Sequence, residues 1–483
     1  MLTFAAWLLA SPIGSSPDDN FHLPSIWCGR GDVDGQCSLA TGDDSVLVPK
    51  PIQRATTCFA FNVTQSANCQ SVTRDWAKRK FAPAPWNNSK ARIYPPGFYY
   101  VMSYFVVDDA RLSTLLIRAV NAFLALLLIG GLIALAAGTE IEIAVILSSL
   151  VMSVPLGLFI ISSTNPSSWT VIGVSSYWGY LYLLGSRKVR GPYLLVWAGA
   201  LLSALLAIVS RVDGSIYILL ATGVTLFSLS KSIRELLTIS TRPAVISLIL
   251  PVSLLALYSF IYLGQGIKVA QSGLVEGEVA VRTVWQLLFH NFIFLPTFWN
   301  GAVGSWGLGW LDTALSPAVP LLVFSVAFCL SVAGLQDGRR VRLLSFWVVF
   351  IAINAIPLYV LTRAGHLVGE TVQPRYILPL MYLAMGLALV RERPNQKLPI
   401  SSKTITAFMI LLSLAQSIAL HQNIRRYVTG TEVIDINLDK DIEWWWEMAP
   451  SPLWTWIIGS LAFTLLSLML ARQVNRVGTR LSD

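Results

Sequence analysis

Two adjacent carboxylates, Asp18 and Asp19, lie in Ser15-Ser16-Pro17-Asp18-Asp19-Asn20-Phe21-His22, directly after the first apolar run. Such a pair can hold a cation, or one member can take a proton from an attacking hydroxyl as a general base. Each carboxylate tends to raise its neighbour's pKa and so helps it hold a proton. The plain alternative is a solvated turn at a helix end. His22 follows Asp18 by four residues, a spacing that places both on one helical face. It either joins the pair or caps and packs. Arg118 falls inside an apolar run, where a charge is expensive. It either serves the site or snorkels outward.

Four cysteines, Cys28, Cys37, Cys58 and Cys69, cluster in one polar stretch, whereas Cys329 sits in an apolar run and reads as a small core residue. A cluster of this kind in an extracytoplasmic loop reads as two disulfides, with three connectivities open. Short loops close at low entropic cost, which favours Cys28–Cys37 and Cys58–Cys69. Zinc is the alternative, but there is no Cys-x-x-Cys and His22 is the only nearby histidine. No metal is expected. Asp32-Val33-Asp34-Gly35 has the look of a calcium loop without its distal glutamate.

The elements that must position these residues are membrane helices. The chain has 483 residues, 54% hydrophobic and 13% charged, against about 25% charged in an average soluble protein. Mean hydropathy is +0.62. These values exclude a soluble multidomain enzyme, a disordered chain and a β-barrel of alternating segments. The net charge of +9 is explained by basic cytoplasmic loops beside anionic lipid, and no nucleic-acid partner is expected. Apolar runs occur at 2–12, 113–137, 141–162, 169–185, 192–210, 214–230, 243–264, 317–335, 343–361, 377–390, 404–420 and 453–471. The first is too short to span alone. The expected fold is an all-α polytopic membrane protein of about 12 transmembrane helices, between 11 and 13.

Placing residues 13–112 outside puts basic connections on the cytoplasmic side: Arg187, Lys188 and Arg190; Lys231, Arg234 and Arg242; Arg339, Arg340 and Arg342; Arg391, Arg393 and Lys397; Arg472, Arg476 and Arg480. Only the tight turn at Thr139–Glu142 is not basic. This alternation obeys the positive-inside rule. The expected organisation is a partial helix at 1–12, an outer loop with the acidic motif and cysteines at 13–112, and helices two to seven at 113–264. A Trp- and Gly-rich outer loop with an interfacial helix follows at 265–316, then helices eight to eleven at 317–420. An outer loop at 421–452, the last helix at 453–471 and a cytoplasmic tail at 472–483 complete the chain. Trp285, Trp299, Trp306, Trp310 and the triplet Trp444-Trp445-Trp446 read as an interfacial belt, or as sugar-stacking or lipid-groove residues.

Three further motifs lie in the outer segments: Tyr94-Pro95-Pro96-Gly97-Phe98-Tyr99-Tyr100, Gly304-Ser305-Trp306-Gly307-Leu308-Gly309-Trp310-Leu311-Asp312 and Gln373-Pro374-Arg375-Tyr376-Ile377-Leu378-Pro379. With the acidic start, and in this order, they resemble a bacterial polytopic membrane family of formerly unknown function within the GT-C glycosyltransferase superfamily. Its members carry Pro-x-Asp-Glu-x-x-His, Pro-Pro-x-Tyr-Tyr, Gly-x-x-Gly-Trp-x-Asp and Gln-x-Arg-Tyr-x-x-Pro elements. The chain departs from the pattern with Asp19 where glutamate is common, and with its short first helix.

The resemblance implies a GT-C-like bundle and an enzyme moving sugar from a polyprenyl phosphate donor to a cell-envelope glycan or glycolipid, usually with inversion. It implies a multi-pass protein of the bacterial plasma membrane, its active site outside, in contact with membrane lipid and active in cell wall biogenesis. Asp18 and Asp19 would take the base and acceptor-orienting roles, in an unfixed order. The lipid phosphate needs bidentate donors; Arg375 is the first choice and Arg211, in Ser210-Arg211-Val212-Asp213-Gly214, the second. His22, Arg118, Asn165, Tyr376 and His366 would support the site, and Trp306, Trp310 and Tyr99 would line the acceptor, sugar or lipid groove. Arg363, Lys268, Arg282 and His290 are weaker candidates that read as interface anchors. No cofactor besides the polyprenyl-phosphate sugar is expected; a divalent cation could take part but is not expected. The competing readings are a transporter or flippase, a polymerase or ligase of polyprenyl-linked glycans, and a membrane scaffold. A transporter would favour midplane charges and two related halves, whereas these charges crowd at one face.

Overall fold

A computed structural model describes residues 1–39, 45–73, 80–87, 94–186, 191–272, 282–336, 338–391, 398–447 and 450–479. Arg187, Lys188, Arg190, Arg393, Lys397 and Arg480, and the Lys268 side chain, lie outside the described residues.

Every apolar run of the sequence forms helix, because a backbone surrounded by lipid must satisfy its own hydrogen bonds. Among the described residues eight helices are long and apolar enough to cross a membrane: Ala110–Ala136, Tyr193–Ser210, Val212–Leu229, Pro243–Tyr262, Ala318–Leu335, Arg340–Ala364, Ser402–Val428 and Pro452–Arg476. Leu254, Leu321, Phe328, Ile351 and Leu461 stand exposed on them, as side chains facing lipid do. The protein is a multi-pass, all-α membrane protein.

The other four runs are helical but do not meet the length and composition of a span, so the count of twelve is not established. Leu2–Leu9 has eight residues. The third run breaks at Val154-Pro155 into Glu142–Ser153 and Leu156–Ile161. Leu378–Leu389 has twelve residues. Ser167–Ser186 is long enough but carries many Ser, Tyr and Trp, and it is buried along nearly its whole length. A helix buried all round belongs to the centre of a bundle. It packs on Tyr193–Ser210, Val212–Leu229 and Leu378–Leu389.

Cys329 is a correction. It is exposed, not buried in a core. It lies beside Leu321, Phe328 and Val332 on the outer face of Ala318–Leu335, and lipid, unlike water, does not drive an apolar side chain inward.

The first long loop is folded. Three short antiparallel strands, β1 (Ser38–Leu39), β2 (Val46–Pro49) and β3 (Phe81–Ala84), pair in the order β1-β2-β3, with Val46 opposite Ala84 and Pro49 opposite Phe81. Cys28 is bonded to Cys37 and Cys58 to Cys69, the neighbour connectivity. The Arg426 guanidinium, on the Ser402–Val428 helix, donates to the carbonyls of Phe59, Asn62 and Gln65, and to Asp312 Oδ2 at 3.1 Å. This clamp ties the second disulfide loop to the Gly-rich segment. Thr431 bonds Val63, and Trp446 bonds Leu9. The segments assigned to one side of the membrane therefore meet at one end of the bundle.

Two arginines of the opposite end finish helices. Arg342 donates to the carbonyls of Gly334, Ala388 and Val390, and Arg242 to that of Gly185. Cations near helix C-termini satisfy unpaired carbonyls and oppose the helix dipole.

Candidate functional site

The site is built on the irregular segment that follows the first helix. Seven consecutive carbonyls, from Leu8 to Gly14, each accept a bond from a distant side chain. Arg118 donates to Leu8, Ser11 and Pro12 at 2.7–2.8 Å. Trp446 donates to Leu9 and Asn423 to Ala10. Gln70 donates to Ile13 and Trp310 to Gly14. Non-helical backbone buried in a membrane protein needs such partners. Asn165 continues the pattern at Pro17, at 2.8 Å. The segment is thus fixed up to the residue before the carboxylate pair.

The two aspartates part company there. Asp18 has φ +61° and ψ +21°, the left-handed conformation that Asp tolerates better than most residues. Its carboxylate is 40% exposed and meets Arg375 Nη2 at 2.5 Å. Asp19 begins the helix Asp19–Trp27 and is fully buried. It accepts from the Thr164 hydroxyl at 2.7 Å and from the Ser16 N–H at 3.1 Å. Burial alone would raise the Asp18 pKa, but Arg375, with His22 and Arg211, outweighs it and holds the carboxyl below its ordinary value. Burial pushes Asp19 up to about 7, against the Thr164 and Ser16 hydrogen bonds and the Arg118 charge.

Arg375 is 2% exposed on a single turn, Pro374–Tyr376, ahead of the helix Leu378–Leu389. Besides Asp18 it bonds Gln373 Oε1 and, at 3.2 Å, the Tyr376 hydroxyl. Its Nε has no protein acceptor among the described residues. Arg211 lies 4.2 Å above the Tyr376 ring, and Asp213 takes its guanidinium in two bonds of 2.8 Å. Arg211 therefore reaches the site with its bidentate edge already used. Its place is to brace Tyr376, whose carbonyl accepts from Tyr217.

His22 is fully buried, and burial pushes its pKa down to about 3 against the Asp18 charge, so the ring is neutral. Its Nδ1 shares a 2.8 Å hydrogen bond with the Tyr99 hydroxyl.

Beside the pair opens a cleft of about 290 Å³. Its walls are apolar: Pro17, Leu156, Phe159, Ile160, Trp306, Leu308 and Leu311, with Arg375 and Gln373 contributing polar groups. Gly307 (φ +80°) and Gly309 (φ +60°) turn the wall back on itself; a Cβ at Gly307 would stand 2.7 Å from the Thr313 carbonyl oxygen. The arrangement offers a shallow apolar cleft, a buried cation and a half-exposed carboxylate. Among the described residues no three His, Cys, Asp or Glu side chains gather as a metal site.

Residues 1–384 match the family described as Predicted membrane protein (DUF2142). The chain belongs to that family. No curated protein and no solved structure matches it. The stretch matched by DUF2142 holds Asp18, Arg211, Asp312 and Arg375; Arg426 and the tryptophan triplet lie beyond it.

Within this DUF2142 chain several expected site residues have other surroundings. Tyr99 is 2% exposed, packs against His22 and is not part of the wall of this cleft. Trp310 is held by Gly14 and by the Phe61 ring, 5.4 Å away, leaving Trp306 of the three as a cleft residue. His366 faces Glu370 at 3.5 Å, with Arg282 on the same carboxylate, rather than the aspartates. Arg118 is a backbone clamp that neither snorkels nor faces the cleft. Sequence reading missed Arg426, Asn423, Gln70 and Thr164. The one signal available was Arg425-Arg426 at the end of an apolar run.

Proposed function

We propose that this protein is a membrane glycosyltransferase of GT-C type. It moves a sugar from a polyprenyl phosphate to a cell-envelope glycan or glycolipid, with inversion, at the outer face of a bacterial plasma membrane. In this reading the helical runs form a GT-C-like bundle of about twelve crossings. The observation that supports it is the Asp18–Arg375 pair, with Arg375 and Pro17, the neighbour of Asp18, lining an apolar cleft. The cleft suits a prenyl chain, the arginine its phosphate and the carboxylate an acceptor hydroxyl.

The chemistry follows from that placement. Arg375 exchanges Asp18 for the donor phosphate. Asp18 loses its counter-ion, its pKa rises, and it becomes the stronger base. It takes the proton of the acceptor hydroxyl as that oxygen bonds to the anomeric carbon. The bond from that carbon to the phosphate oxygen breaks, and the polyprenyl phosphate leaves with the electron pair, its charge held by Arg375. Asp19, buried and bonded to Thr164 and Ser16, positions Asp18 and does not touch substrate.

The test is a membrane assay with a panel of polyprenyl-phospho-sugars and lipid or glycan acceptors. Wild type should transfer sugar from one donor, and Asp18→Asn should not. Turnover in Asp18→Asn equal to wild type would end this assignment. Release of intact lipid-linked glycan across the membrane without a new linkage would favour the flippase reading.

A further inference from the structure

A second cavity, about 560 Å³, opens between the first long loop and the segment before the last helix. Its walls include Asn68, Gln70, Arg111, Glu443, Trp444 and Trp445. Trp444 stands 5.5 Å from Trp445 and 5.4 Å from Trp446, centroid to centroid.

The three indoles are not equivalent. Trp446 is buried and donates to the Leu9 carbonyl at 2.8 Å. Trp445 donates to Pro450. Trp444 is half-buried, and its indole N–H makes no hydrogen bond to a described residue. All three indoles line the cavity; the N–H groups of Trp445 and Trp446 are bonded, while Trp444, packed against the cluster of Phe59 and Tyr427, keeps a free donor. Beside it the exposed Glu443 carboxylate and the Asn68 carboxamide are likewise without a partner among the described residues. Arg111 is already engaged by Asp109 and by Glu447, at 3.0 Å. Gln70 is engaged by the carbonyls of Ile13 and Ala55.

The occupant follows from this chemistry. An acyl chain would leave a carboxylate and an amide buried without partners, at a cost. An anionic headgroup would meet Glu443 and Glu447, with the one arginine occupied. A neutral sugar suits every surface: its C–H face covers the indole, its hydroxyls donate to the carboxylate, and its oxygens accept from the amide and indole N–H.

We infer that this cavity is a carbohydrate subsite that stacks a neutral sugar residue of the acceptor on Trp444 and hydrogen-bonds it through Glu443 and Asn68. The acceptor part of this assignment rests on the transferase reading. Ile13 lines this cavity and Pro17 lines the apolar cleft. At no more than about 3.6 Å per residue, their Cα atoms lie within about 14 Å. An oligosaccharide seated on Trp444 can therefore extend along this segment towards Asp18.

The full chain in lipid nanodiscs should be titrated by saturation-transfer-difference NMR with maltotetraose, mannotetraose, N-acetylchitotetraose and, as an anionic control, trigalacturonate. At least one neutral tetrasaccharide should show transfer to its ring C–H protons, and trigalacturonate should not. Trp444→Ala should weaken binding by about tenfold, the loss of one aromatic stacking contact, and Trp444→Phe should restore part of it. Glu443→Ala should weaken it as well, and it serves alone if Trp444→Ala fails to fold. No transfer to any neutral probe, equal transfer to trigalacturonate, or binding indifferent to both Trp444→Phe and Glu443→Ala overturns the subsite. Glycan binding without sugar-transfer activity would sink the transferase reading and leave the subsite standing. Sugar transfer without glycan binding would do the reverse.

Discussion

Asp18 and Arg375, 357 residues apart in the chain, share an ion pair of 2.5 Å in which the arginine is buried and the carboxylate half open. A buried guanidinium that loses its partner is costly, about 3–5 kcal/mol when the pair is fully enclosed, and less here because Asp18 reaches solvent. The pair is stable at rest and primed for exchange, since any anion that enters the cleft competes for the same donor.

Asp18→Asn should lower transfer by about 10²–10⁴-fold, the usual contribution of a general base. The amide tolerates the same left-handed backbone, so the fold survives. Because the variant frees Arg375, undecaprenyl phosphate should raise its melting temperature at least as much as it does in wild type. A smaller shift than in wild type would show that Asp18 helps bind the donor, not that it activates the acceptor.

Arg375→Ala should abolish that phosphate-induced shift, and Arg375→Lys should recover only part of it, because an ammonium cannot make the planar two-point contact. Isothermal titration of undecaprenyl phosphate in nanodiscs separates the three proteins. Full recovery by lysine would mean that charge alone is read.

Asp19 predicts a pH effect on stability. Its folded pKa, raised to about 7, exceeds its unfolded value of about 3.9. The folded state then binds more protons between these values, and stability falls as pH rises from about 4 to about 7. Asp19→Asn removes the titration but puts an amide beside the Ser16 N–H, at a cost of about 1–3 kcal/mol. The melting-temperature gap between wild type and Asp19→Asn should therefore be widest near pH 4 and narrow towards pH 7. A gap that widens over that interval would overturn the assignment.

The disulfides and the Arg426 clamp should act together. Cys58→Ser should leave Cys69 open to alkylation while Cys28 and Cys37 stay protected, with a loss of about 2–4 kcal/mol. Arg426→Ala, which strands Asp312, should cost about 3–5 kcal/mol. Alkylation mass spectrometry and thermal unfolding in detergent read both; free thiols at all four positions in protein kept from reductant would contradict the pairing.

Topology is checked by single cysteines in a Cys329→Ser background, needed because Cys329 is exposed. A cysteine at Glu432 should react with an impermeant maleimide in intact cells, and one at Arg340 should not. Reaction at both would break the alternation of faces.

Much of this was legible in the chain. The apolar runs all became helices because lipid leaves a backbone no other choice. Cys28–Cys37 and Cys58–Cys69 followed from loop length, and the meeting of Asp18 with Arg375 agrees with what the resemblance implied. The different surroundings of Asp18 and Asp19 were not legible, since they depend on Thr164, 145 residues from Asp19. Nor was the role of Arg118: its acceptors are carbonyls, which every residue has and which leave no mark in sequence. Cys329 was misread because an apolar run does not say which of its faces meets lipid.

The seven tethered carbonyls from Leu8 to Gly14 decide which half of the site can move. A strand anchored at every peptide unit by five different side chains cannot hinge, and the carboxylate that follows it is carried on an anvil. Whatever adjustment a substrate demands falls to the hammer side: the single turn Pro374–Tyr376 and the guanidinium it holds. Loosening one tether, as in Asn423→Ala or Gln70→Ala, should then blunt the precision of the blow rather than its force, appearing as slippage between acceptors long before the protein loses its shape.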